Sequence, residues 1–163
     1  MFIENLPAIR LLPMSESDPE FTTFTIEDLQ EWFMKELPYR VCNFKTEMIT
    51  PRGTLILFQY KNSVIASAIL VDKIIYPERL DGGYKGAFIF DPYSITVFTP
   101  ITKEEIKQIW TTFKSFNQSM QKLDPSKLNQ YKTLVEKKEF KCVFTSDLEE
   151  DEYQSVIEQV DID

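Results

Sequence analysis

The sequence predicts an α+β domain, a small closed or nearly closed β-barrel with about three helices packed against it. Three observations carry this expectation. The segments Leu55–Phe58 and Ile69–Val71 are apolar on both faces, so neither side of their sheet is left to water. Strand-like runs of β-branched and aromatic residues are gathered in the middle of the chain, with helical patterns before and after them. The chain has 163 residues, 43% of them hydrophobic and 13% aromatic, which is enough for one domain with a substantial core and too little for two ordinary ones.

Residues 1–24 carry Pro7, Pro13 and Pro19 among scattered apolar residues and are expected to form an extended arm lying on the domain. Residues 25–145 are expected to be the barrel domain, and 146–163 an acidic tail or linker. In "TIEDLQEWFMKELP", Thr25 can cap a helix with Asp28 three residues on, and Ile26, Leu29, Phe33 and Leu37 form an apolar stripe before Pro38. Residues 54–60 and 64–76 read as two strands of a hairpin joined at Lys61-Asn62-Ser63. A second hairpin is expected in "KGAFIFDPYSITVFTP", with Asp91-Pro92-Tyr93 as its turn. "TKEEIKQIWTTF" follows as a helix, with Thr102 and Glu105 as a capping box and Ile106, Ile109, Trp110 and Phe113 on one face. Asp124 and Pro125 start a third helix, and "FKCVFT" supplies a closing strand.

The formal net charge of -8 is concentrated at one end. Residues 146–163 hold eight acidic residues and no lysine or arginine; the remaining 18 acids balance 18 bases, so the body is neutral. An acidic end of this kind is a solvated tail or a linker to a further domain, and it does not exclude a nucleic-acid partner. No apolar run approaches the ~18 residues a membrane span needs, and no signal segment opens the chain, so a cytosolic protein without membrane association is expected. Cys42 and Cys142 lack metal-ligand spacing and read as buried free thiols. With no histidine, the usual general base is missing, and the four glycines make neither a Walker nor a dinucleotide fingerprint. Glu104-Glu105 suits the start of a helix rather than a catalytic pair. Glu139-Phe140-Lys141 resembles half of a nuclease motif, without the upstream acid it would require. Neither metal nor organic cofactor is expected, and the domain is read as a binding module rather than an enzyme.

Aromatic and amide side chains are the more informative groups. Trp32, Tyr39, Phe44, Phe58, Tyr60 and Trp110 flank Asn43, Lys45, Asn117 and Gln118, a set able to stack on a flat ring and hydrogen-bond its edge. The structural alternative is ordinary core for the aromatics and turn capping for the amides.

The stretch "YRVCNFKTEMITPRGTLILFQYKNSVIASAILVD" resembles the opening of the EVE domain of the PUA-like superfamily, to which YTH and ASCH domains are related. Asn43-Phe44 stands at that family's Asn-aromatic step, Gly53-Thr54 at its turn, Leu57-Phe58-Gln59-Tyr60 in its first strand and Ile65-Ala66-Ser67-Ala68 in its second. "SITVFTPITKEEIKQIW" and "FNQSMQKLDPSKLNQY" are similar to its later strand-to-helix segments, so the resemblance covers roughly residues 25–140. Thr54 replaces the family's usual aspartate, Ala66 or Ser67 its usual glycine, and Cys42 an arginine often found there. The resemblance implies a module that holds a modified, flipped base of DNA or RNA, as the N-terminal specificity domain of a modification-dependent restriction enzyme with a fused or partner nuclease. It implies that Trp32, Phe44 or Tyr60 stacks on the base, that Asn43 and Asn117 read its edge, and that Lys45, Phe58, Ser67 and Gln118 complete the pocket. Arg40, Arg52 and Lys114 are then the expected phosphate contacts. The alternatives are a protein-interaction or regulatory domain with no nucleic-acid ligand, and an ASCH-type hydrolase using Lys45.

Overall fold

One long strand organises the sheet. The computed structural model describes residues 6–15 and 21–143, and the expected acidic tail lies outside them. Its strands are β1 (Ile9–Pro13), β2 (Cys42–Phe44), β3 (Leu55–Tyr60), β4 (Ser63–Leu80), β5 (Tyr84–Phe90), β6 (Thr96–Ile101), β7 (Gln121–Leu123) and β8 (Phe140–Cys142). They form one sheet in the order β2-β5-β4-β3-β1-β7, from which β6 branches at β4 and carries β8. The helices are α1 (Ile26–Lys35), α2 (Lys103–Ile109) and α3 (Leu128–Glu136). The expected α+β class with three packed helices is therefore present, in a barrel-like sheet that is not closed.

Local chemistry fixes several elements. The Thr25 hydroxyl accepts from the Asp28 N–H while the Asp28 carboxylate accepts from the Thr25 N–H, and Thr102 and Glu105 repeat the arrangement at α2. Strands β3 and β4 meet through Lys61 and Asn62, both at positive φ (48° and 61°), which is the backbone of a tight two-residue hairpin turn. Asp124 accepts from the Ser126 N–H, opening a single 3-10 turn at Pro125–Lys127 that runs into α3.

Two expectations are corrected. Asp91-Pro92-Tyr93 does not join the strands of a hairpin: β5 pairs with the Leu70–Leu80 part of β4 and β6 with its Val64–Ser67 part. The Asp91 N–H donates to the Ile69 carbonyl and the Ser94 hydroxyl accepts from the Ile69 N–H, so the 3-10 turn at Pro92–Ser94 steps the chain from one half of β4 to the other. The hairpin partner of β5 is β4, through Gly82 and Gly83 at φ 90° and 83°. Residues 9–13 are also more than an arm lying on the domain. They form β1, parallel to β3 and antiparallel to β7, because Ile9 and Leu11 alternate with Leu12 and bury on both sides of the sheet.

All six residues of β3 are buried. Leu55 and Leu57 face one cluster with Ile9, Leu11, Ile106, Trp110 and Tyr131, under α2 and α3. Ile56, Phe58 and Tyr60 face the other, with Leu29, Trp32 and Phe33 of α1 and with Phe88 and Phe90. The small residues Ala66 and Ala68 belong to this second cluster, against which α1 packs. Among the described residues no helix is long and apolar enough to cross a membrane.

Candidate nucleic-acid interface

Among the described residues, β2 pairs only with β5 at one end of the sheet, and β1 with β7 closes the other end. Between these ends lies a cleft of about 670 Å³, within the ~300–1,000 Å³ usual for small-molecule sites. β1 contributes Arg10 and Leu12, β2 contributes Asn43 and Phe44, the segment after it Lys45–Ile49, and the other rim Gln118–Met120 and Lys122.

Each wall has a local cause. Phe44 stands opposite Gly86 across the β2–β5 ladder, and its ring lies over the glycine and against Phe88, with centroids 4.4 Å apart at 33°. The Tyr76 hydroxyl donates to Asn43 Oδ1 at 2.6 Å, which orients the amide. Its Nδ2 makes no hydrogen bond among the described residues, leaving two donors beside the cleft. Lys45 Nζ sits 5.5 Å from the Tyr84 ring centroid. Arg10 Nη1 donates to the Ile49 carbonyl at 3.3 Å, tying β1 to the segment after β2, while Arg10 Nε is buried without a partner. Burial lowers the Arg10 pKa from its ordinary value, yet a guanidinium stays charged at neutral pH. Lys122 is the cross-strand neighbour of Arg10.

Among the described residues, the cleft thus gathers Arg10, Lys45 and Lys122 against one acid, Glu47, whose carboxylate is bonded to Lys73 Nζ at 2.5 Å. That bond draws the Glu47 pKa below its usual range. In a chain of net charge -8, this local excess of cations suits an anionic ligand.

Of the expected base-pocket set, Asn43, Phe44, Lys45 and Gln118 line this cleft. Trp32, Phe58 and Tyr60 are buried in the α1-side core, at 3%, 0% and 1% exposure; the Tyr60 hydroxyl donates to the Phe24 carbonyl at 2.8 Å. Ser67 is buried beneath α3, where it lines a separate small pocket with Tyr131. Asn117 shapes its own loop, accepting from the Ser119 N–H through Oδ1 and from Gln59 Nε2 through its carbonyl. None of the expected phosphate contacts lines the cleft. The Arg40 guanidinium lies over the Trp32 ring, Arg52 pairs with Asp72, and Lys114 is exposed after α2. Arg10 and Lys122 were not among the expected site residues. The only local signal for Arg10 is a single cation within the apolar run Ile9–Leu12. Among the described residues no cluster of acidic, cysteine or histidine side chains could hold a metal ion. Neither cysteine is in a disulfide; Cys42 is buried and Cys142 partly so. Glu105 serves its helix cap and pairs with Lys138 at 3.1 Å.

No family model matches this chain, and no curated protein matches it in sequence. Solved structures do. ASCH from Zymomonas mobilis aligns with a TM-score of 0.53 at 14% identity, over 79% of this chain and 96% of that one. A serine-to-alanine variant of that protein aligns at 0.53 and 15% identity, covering 81% and 99%. A tyrosine-to-phenylalanine variant aligns at 0.52 and 16%, covering 78% and 99%. At such identities the likeness is one of fold: this chain shares its fold with these ASCH structures.

Proposed function

We propose that this chain is an EVE-type PUA-like module that binds nucleic acid and holds one base, modified and flipped, in the cleft at the open seam of its sheet. The supporting observation is the convergence of an oriented amide, an aromatic wall and three cations in that cleft, on a chain that is acidic overall. The Asn43 Nδ2 donors and the Gln118 amide read the base edge, Phe44 with Phe88 forms the apolar wall, and Lys45, Arg10 and Lys122 neutralise phosphate. Trp32, Phe58 and Tyr60 act from beneath, as the packed layer that holds β3 and α1 in place. Extruding a base costs a few kcal/mol, which stacking at ~1–3 kcal/mol per base and two or three hydrogen bonds can offset. The module binds and does not cut; as the specificity domain of a modification-dependent restriction enzyme it delivers a nuclease to modified sites.

Fluorescence anisotropy with labelled DNA and RNA oligonucleotides, carrying a methylated, hydroxymethylated or unmodified base at one position, tests this reading. The expected result is selective binding to one modified member, weakening as salt rises, with selectivity lost and residual non-specific binding kept in Asn43→Ala. Absence of binding to every member at low salt would favour a protein-interaction domain instead.

A further inference from the structure

A second cleft, of about 400 Å³, adjoins the first and shares Arg10, Ile49 and Lys122 with it. Its remaining walls include Ile9, Thr50, Pro51, Asp124 and Pro125. The ridge between the two clefts is the bond from Arg10 Nη1 to the Ile49 carbonyl, with Lys122 beside Arg10 on β7. On this ridge the Ile49 side chain is 83% exposed, although its neighbour Met48 is buried. A lone base needs one cleft and gives such an isoleucine nothing to do.

Resting on the reading of the first cleft as a base site, we propose that the ligand is a single-stranded dinucleotide step, with one base in each cleft, Ile49 wedged between them, and the linking phosphate on Arg10 and Lys122. Apolar side chains including isoleucine part neighbouring bases in this way. The Arg10 guanidinium keeps its second Nη unbonded among the described residues, facing a ridge where one negative charge per linkage would lie. Asp124 lies on the far side of the second cleft, its carboxylate held by the Ser126 N–H, and repels phosphate from there. The charge pattern therefore favours the phosphate at the ridge and the neutral base beyond it. A duplex that extrudes a single base fills only the first cleft, so the second is left for an unpaired neighbouring base.

The test is an NMR titration of the whole chain with nucleoside monophosphates and with dinucleoside monophosphates, of both ribose and deoxyribose type. Because linking two weak sites makes the second contact intramolecular, the dinucleotides should bind about tenfold or more tighter than the mononucleotides. Ile49→Ser, a change at an exposed position that leaves the core intact, should remove that advantage. Arg10→Met should lower the slope of log affinity against log salt by about one for a longer single strand. Equal affinities for the two ligand classes, or an Ile49→Ser variant that keeps the advantage, overturn the two-nucleotide inference while the single-base reading stands. No binding by either class, nor by the modified oligonucleotides, overturns both.

Discussion

Gln30 shows how one side chain can tie a helix to two strands of the sheet. Between Phe58 and Gln59 the β3–β4 register shifts, so that Phe58 faces Ala66, Gln59 faces Val64, and Ile65 is left as a bulge. The β4–β6 register shifts at the same place. A bulge frees backbone groups from the ladder, and Gln30 Nε2, reaching from α1, donates to both the Ile65 carbonyl at 3.0 Å and the Phe98 carbonyl at 2.7 Å. Removing this donor leaves two partly buried acceptors without it. Gln30→Ala should therefore destabilise the fold by about 1–3 kcal/mol, measured as a lower urea midpoint at unchanged slope. An unchanged midpoint would mean that water replaces the amide at no cost.

At the scale of elements, what the sequence discloses depends on how far apart the interacting residues lie. Capping boxes act within one turn, so the starts of α1 and α2 are legible at Thr25 and Thr102. The two-residue turn at Lys61-Asn62 is equally local. By contrast β1 is recognised only through its neighbours: its five residues look like a proline-marked arm until they are seated between β3 and β7. For the same reason Asn43, Phe44 and Lys45, adjacent in sequence, are legible as a candidate site, whereas Arg10 and Lys122 meet only because β1 and β7 pair. Gly86 belongs to the second kind. A Cβ there would collide with the Ile74 carbonyl and lie 2.6 Å from Phe44 Cζ, so the glycine exists to let the Phe44 ring cross its strand. Gly86→Ala must push apart β4 and β5 or displace Phe44. The expected cost is about 1–3 kcal/mol or more, accompanied by weaker oligonucleotide binding, since the displaced ring is a wall of the cleft. Full affinity in a destabilised Gly86→Ala protein would remove Phe44 from the site.

For the molecule as a whole, charge decides how stability and binding respond to pH. Asp28, Glu47, Glu105 and Asp124 all have folded-state pKa values below their ordinary ones. The causes are the Thr25 N–H for Asp28, Lys73 for Glu47 and the Ser126 N–H for Asp124; for Glu105, burial pushes upward but is outweighed by Thr102 and Lys138. A depressed carboxylate contributes stability that is present above its unfolded pKa, about 4, and that is lost as pH falls through the folded value. Thermal midpoints should therefore be steady near neutrality and fall once pH drops below about 4. Ligand binding has a different sensitivity. The chain contains no histidine, and the cleft's cations are lysine and arginine, residue types that titrate well above neutrality. Affinity for a single-stranded oligonucleotide at fixed ionic strength should thus be flat between about pH 6 and 8 while falling steeply with added salt. Isothermal titration across that window checks this, and a pronounced pH dependence would point to a titrating group on the ligand or to a binding surface other than this cleft. The two responses separate the forces involved: carboxylates bound to N–H groups and lysines stabilise the fold above about pH 4 and cease to do so in acid, whereas on the proposed reading fixed cations at the open seam of the sheet attract the ligand.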